Sequence, residues 1–166
     1  MKQGYISFAW LVCFSLMLAA CAGGISKEAR SRVTYNGPFT AVLQAPEKYR
    51  NETVMWGGKI ISSQTTDNGT ELTVLQLVLG SQNRPADTDQ SKGRFLIRSS
   101  QFLDPAIYSA QSLITAVGQL SDAETRTIGE MEYRYPVLDL IEIKKWPPPV
   151  DTTPRFYFGI GVGKTF

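Results

Sequence analysis

The stretch "TTDNGT" at 65–70 constrains this chain more than any other. Asn68-Gly69 is a dipeptide that accepts positive φ at the centre of a tight hairpin turn. Runs suited to strands lie on both sides of it. Thr53–Ser63 is rich in β-branched and aromatic residues, and Thr70–Leu79 is a second such run. Together they predict an antiparallel hairpin. Gly57 and Gly58 fall inside the first strand and predict a bulge or a sharp bend there.

Three more strands follow. "RFLIRSS" after Gly93 is a short third strand, and "LITAVGQL" at Leu113–Leu120 a fourth. Between them, Asp104-Pro105 predicts a short helix, with Asp104 as N-cap and Pro105 at the first position. "YPVLDLIEIKKW" sets Val137, Asp139, Ile141 and Ile143 against Leu138, Leu140, Glu142 and Lys144. This is a fifth strand with one largely apolar face, and "PPPV" stops it. "SQNRPADTDQSKG" reads as a loop, and "SDAETRTIGEMEYR" as a loop or hairpin end. Ala45–Tyr49 reads as one helical turn with Pro46 early in it. Five strands with a short helix between the third and fourth give an all-β fold, a small five-stranded OB-like barrel over residues 39–146. A small open sandwich is the alternative architecture.

The N-terminus has a different character. Lys2 precedes a long apolar run that ends in the small residues of "LAAC". This is the layout of a secretory signal peptide. Leu18, Ala19, Ala20 and Cys21 match the bacterial lipobox at every position. That resemblance implies that residues 1–20 are removed and that Cys21 becomes an acylated N-terminus, tying the protein to a membrane. One competing reading is a plain signal peptide with a chance cysteine; another is a membrane-spanning helix, but such helices end in Lys, Arg or aromatic anchors, and this run ends in Ala, Cys and Gly. In lipoproteins of enteric-type bacteria an Asp after the cysteine favours the inner membrane. Ala22 stands there, which points to the outer membrane, with the periplasmic side favoured. Residues 21–38 then read as a tether, small and polar with Gly23, Gly24, Gly37 and Pro38.

Composition narrows the chemistry. The 166 residues hold no histidine, and the two cysteines are Cys13 and Cys21. The commonest general base and metal ligand is missing. No cysteine remains in the body for a disulfide or a thiolate nucleophile. Net charge is +2 and no basic cluster accompanies the aromatic residues, so nucleic acid is not an expected partner. Asp87 and Asp89, with Asp67 elsewhere, lack the bidentate Glu that ends a calcium loop. No enzyme activity, metal or cofactor is expected. Candidate ligand-binding residues are Trp56, beside its two glycines, and the tyrosines Tyr133 and Tyr135, which can form a stacking surface for a small molecule or a glycan. For Trp56 the competing reading is a tryptophan buried by a bent strand.

The tail is the oddest segment. In 147–166 a Pro-rich spacer precedes Phe156–Val162, where apolar residues alternate with glycine or Tyr157. That period suits a strand added to its own barrel, to a second copy or to an envelope protein partner, and a disordered tail is the competing reading.

Four segments in order, "WGGKI", "TELTVLQLVL", "GRFLIRSSQFLDPAIY" and "YPVLDLIEIKKW", together resemble the Slp family of outer-membrane lipoproteins. The resemblance covers most of residues 39–146 behind the lipobox. It implies an outer-membrane address and an association with starvation or stationary-phase stress. It implies no reaction and carries over no catalytic residue. Two functions are expected from this reading: a non-enzymatic, lipid-anchored envelope module, or a small-molecule or glycan-binding lipoprotein.

Overall fold

The computed structural model describes residues 24–148 apart from 87 and 89. Cys21, the tail at 156–162 and the two loop aspartates therefore lie outside the described residues. The hairpin forms at the predicted turn, but Asp67 and Asn68 are its two central residues, and Gly69, not Asn68, takes the positive φ. β1 (Thr53–Thr66) and β2 (Gly69–Leu77) pair antiparallel, with Thr66 opposite Gly69. Gly69 has φ +131°, and a Cβ there would run into the Ser99 carbonyl, so glycine is required for two reasons at once.

β3 (Arg94–Ser99), β4 (Leu113–Leu120) and β7 (Val137–Lys145) complete a closed barrel in the order β1-β2-β3-β7-β4. β4 returns to pair with β1, and β3 runs parallel to β7. This is the OB-like barrel that the sequence predicts. β5 (Glu124–Ile128) and β6 (Met131–Tyr135) form a separate two-stranded hairpin inserted before β7.

Side chains from all five barrel strands fill the interior. Val54, Trp56, Ile60, Leu72, Val74, Phe95, Ile97, Ile114, Ala116, Leu120 and Leu138 form one buried cluster. Two plugs complete it. Phe39 and Val42 come from the short helix α2 (Phe39–Gln44), which follows α1 (Lys27–Ser31). Leu103 comes from the β3–β4 connection, where its N–H donates to Thr70 Oγ1 at 2.9 Å. The expected turn at Ala45–Tyr49 is a 3-10 helix over Pro46–Tyr49.

Three expectations need correction. The predicted helix at Asp104-Pro105 is a single turn. Asp104 does cap it, its Oδ1 accepting the Ala106 N–H at 2.8 Å and its carbonyl the Ile107 and Tyr108 N–H groups. The chain then turns at Gln111, φ +70°, into β4, so no second turn follows. In β7 the apolar face changes midway. Val117 pairs with Glu142 and Gly118 with Leu140, which leaves Ile141 as a bulge. Leu138, Leu140 and Ile143 therefore pack on the core, while Ile141 is exposed. A bulge shifts the two-residue period by one, so strict alternation assigned Ile141 and Ile143 to one face.

The third correction concerns the tether. Residues 25–38 are not all free chain. Ile25 and Ala29 are buried against Val117 on the outer face of β4, with Val33 and Met55 beside them. Ser26 caps α1 through its own hydroxyl, which accepts the Ala29 N–H at 3.0 Å. The Ser26 N–H and hydroxyl donate to the two oxygens of Glu142 on β7, at 2.8 and 2.6 Å. Among the described residues, packing on the barrel thus starts as early as Ile25.

Candidate functional site

Gly57, Gly58 and Lys59 pair in unbroken register with β2 on one side and β4 on the other, and the register shift of β1 lies beyond them, between Ile60 and Ser62, rather than at the glycines. A Cβ on Gly58 would meet Val74 and stand 2.5 Å from the Leu75 carbonyl oxygen. One on Gly57 would strike Leu79 and lie 3.1 Å from Pro85. The two glycines let neighbouring chain close over the strand.

Trp56 points into the barrel and is 7% exposed. Its ring meets Phe39 edge-on at 4.8 Å and Phe95 at 5.1 Å between centroids. Such edge-to-face pairs hold a ring in one orientation, so Trp56 is packed as a core residue. An open cleft of about 420 Å³ runs beside it, lined among others by Gly37, Pro38, Met55, Gln76, Val78 and Lys92. Trp56 reaches only its wall.

Tyr133 and Tyr135 lie on β6, their rings 4.8 Å apart and T-shaped. Tyr135 is buried against Leu96 and Val137 on the outer face of the barrel. The Tyr133 hydroxyl accepts the Arg94 N–H at 2.8 Å. Gly93, at φ +141°, leaves room for that hydroxyl. The two tyrosines dock the β5–β6 hairpin onto β3. The fold brings them together, and separates them from the Trp56 ring by Phe39 and the chain at Gly93.

An ion-pair ring fastens the other strand of that hairpin. Arg98 of β3 meets Glu71 of β2 at 3.1 Å and also Glu124 of β5. Arg126 of β5 meets Glu71 at 2.8 Å and Glu124 at 2.7 Å. The hydrogen bond from Arg126 lowers the pKa of Glu124 despite some burial. The bonds from Glu71 and Glu124 in turn raise that of Arg126. The four groups satisfy one another, a structural arrangement. Nothing in the sequence singled them out, because the partners sit on three separate strands.

Trp146 closes a third outer contact. Its Nε1–H donates to Thr115 Oγ1 at 2.9 Å, and that hydroxyl donates to the Asn83 carbonyl at 2.6 Å. Arg84 and Lys144 lie over the ring at 5.6 and 6.0 Å. The polar loop after β2 is thereby folded down on β4.

The molecule so defined is a small filled OB-type barrel in which Tyr133, Tyr135, Trp146 and the Glu71, Arg98, Glu124 and Arg126 ring hold appendages in place. Residues 18–161 match the Outer membrane lipoprotein Slp family. The chain belongs to that family, and with it to the lipoproteins of the outer membrane. Among its relatives, the lipoprotein YeaY of Escherichia coli is 31% identical over 157 residues, spanning 89% of this chain and 80% of that protein. The outer membrane protein Slp of the same organism is 27% identical over 139 residues, covering 83% and 73%. A Haemophilus influenzae protein is 31% identical over 148 residues, covering 88% and 78%. Among solved structures, a small single-stranded DNA-binding protein from Streptomyces coelicolor is similar with TM-score 0.37 and 14% identity, over 58% of this chain and 94% of that one.

Proposed function

We propose that this chain is a lipid-anchored module of the envelope without catalytic chemistry of its own, held at the outer membrane through Cys21 and facing the periplasm. The observation that carries the reading is the distance in sequence from the lipobox to the fold. Cys21 ends "LAAC", and four residues later Ile25 is buried in the domain. An acylated cysteine at that place needs no spanning segment, because two or three acyl chains hold a protein to a bilayer almost permanently. Ala22 supports the outer membrane over the inner. The absence of histidine from the sequence and the filled barrel support a binding or structural role over a reaction. The association of the family with starvation or stationary phase is extended to this chain on the same footing.

Cys21→Ser tests the anchor. The variant is expected to lose labelling by a fatty-acid analogue and to leave the outer-membrane fraction, appearing as soluble or unprocessed protein. Labelling that survives the substitution would sink the reading.

A further inference from the structure

Where the chain enters the fold determines which side of the domain meets the bilayer. From Cys21 to Ile25 is four residues, a reach of at most about 14 Å at full extension. A domain of this size has a radius of gyration of about 13 Å, so the tether is shorter than the domain is wide. The domain cannot turn its far side to the membrane. Ile25 and Ala29 are fixed on the outer face of β4, and Ser26 is held by Glu142 of β7. The face carrying α1 is the one brought down.

That face is basic. Lys27, Arg30 and Arg32 are exposed on and just after α1, and none forms an ion pair with a described residue. Lys144 stands on the same side of β7, opposite Thr115 of β4 and two residues from Glu142, with its ammonium 6.0 Å from the Trp146 ring. Glu28 is the one exposed carboxylate of α1. The Glu142 carboxylate is occupied by Ser26. On the opposite side of the ring of strands, Glu71 and Arg98 of β2 and β3 are neutralised within their ion-pair ring.

We propose that α1 and the adjoining β4–β7 surface form a membrane-contact face, in which Lys27, Arg30, Arg32 and Lys144 rest on anionic phospholipid headgroups of the leaflet that holds the Cys21 acyl chains. The inference rests on the lipidation of Cys21. At physiological salt, charges interact over about 8 Å, within reach of groups tethered this closely. Each basic side chain at an anionic surface adds attraction. The lipid then supplies attachment and the basic face supplies orientation.

The test uses the full protein purified from membranes and reconstituted into vesicles of phosphatidylcholine, with or without phosphatidylglycerol. Lysines are acetylated under limiting conditions and read by mass spectrometry. Lys92, held between β2 and β3 by its N–H to Gln76 Oε1 at 3.3 Å, is the internal reference. Relative to Lys92, Lys27 is expected to react about fivefold more slowly when phosphatidylglycerol is present. That protection is expected to vanish in about 1 M salt, where screening falls to about 3 Å. In the variant Lys27→Glu/Arg30→Glu/Arg32→Glu the remaining reporter Lys144 should lose its protection. The N-terminal peptide in the same spectra reports acylation. Acylated protein whose Lys27 reacts alike in both vesicles overturns the contact face and leaves the anchor standing. An unacylated Cys21 overturns both.

Discussion

Replacing Trp56 by Ala separates a core residue from a ligand platform. The side chain is almost fully enclosed, its ring held between Phe39 and Phe95. A buried tryptophan removes about 150–250 Å² from water. At about 25 cal/mol per Å² this is worth about 4–6 kcal/mol as an upper bound. Alanine retains the Cβ, and the walls relax partly into the void, so the expected loss is about 3–5 kcal/mol. For a barrel of this size that lowers the melting temperature by about 10–20 °C. Trp56→Phe keeps an aromatic edge for both neighbours and should cost about 1–2 kcal/mol. The assay is thermal unfolding of the mature protein in mild detergent, followed by far-ultraviolet circular dichroism. A Trp56→Ala protein melting within about 3 °C of the parent would refute the packing argument. It would return Trp56 to the surface of the cleft as a residue free to stack on a ligand.

Gly58→Ala should destabilise by about 1–3 kcal/mol in urea unfolding, since its methyl meets the Leu75 backbone. Gly129→Asn, at φ +62° with open space around it, should stay within about 0.5 kcal/mol. The lowered pKa of Glu124 makes the hairpin pH-sensitive in one direction. Its contribution is present above the ordinary carboxyl value of 4.5 and is lost as pH falls below that through the folded value. Amide exchange of β5 and β6 should therefore rise on acidification to about pH 3.5 more than that of β2 and β3 after correction for intrinsic rates, and equal protection would contradict it. In the tail, amide exchange across 156–162 in purified and in membrane-bound protein should show protection in at least one state if it docks as an added strand. Fast exchange in both would mean it does not.

The sequence revealed the barrel strands because each carries a local signal. β4 shows why some signals mislead. "LITAVGQL" is nearly continuous in apolar residues because both faces are covered: Ile114 and Ala116 face the core, while Leu113, Thr115 and Val117 lie under Trp146 and α1. Such runs mark strands buried twice, and what does the covering cannot be read from the run itself. α1 escaped notice because it offers only Ile25 and Ala29 as an apolar stripe, amid charged residues, and its register depends on distant Glu142. The bulge at Ile141 is set by the partner strand, so the alternation gave no warning. The site candidates fared according to the same physics. A tryptophan next to glycines and a pair of nearby tyrosines attract attention as binding surfaces, yet Trp56, Tyr133 and Tyr135 each spend their rings on packing.

Closure of the ring has a consequence for how the molecule forms in time. The β1–β2 hairpin joins neighbours across a two-residue turn and can form in microseconds. The pairs that seal the ring join residues far apart in the chain: Thr53 with Gln119, and Leu96 with Val137. Those contacts must draw long loops together before they return any stability, which places such topologies among the slower folders, in milliseconds to seconds. Until β7 slides between β3 and β4, both of those strands keep a bare edge, and each is rich in apolar residues. The interval before sealing is therefore when this chain is most exposed to association with other chains. Substitutions that slow arrival of β7 should reduce yield in cells before they measurably weaken the finished barrel.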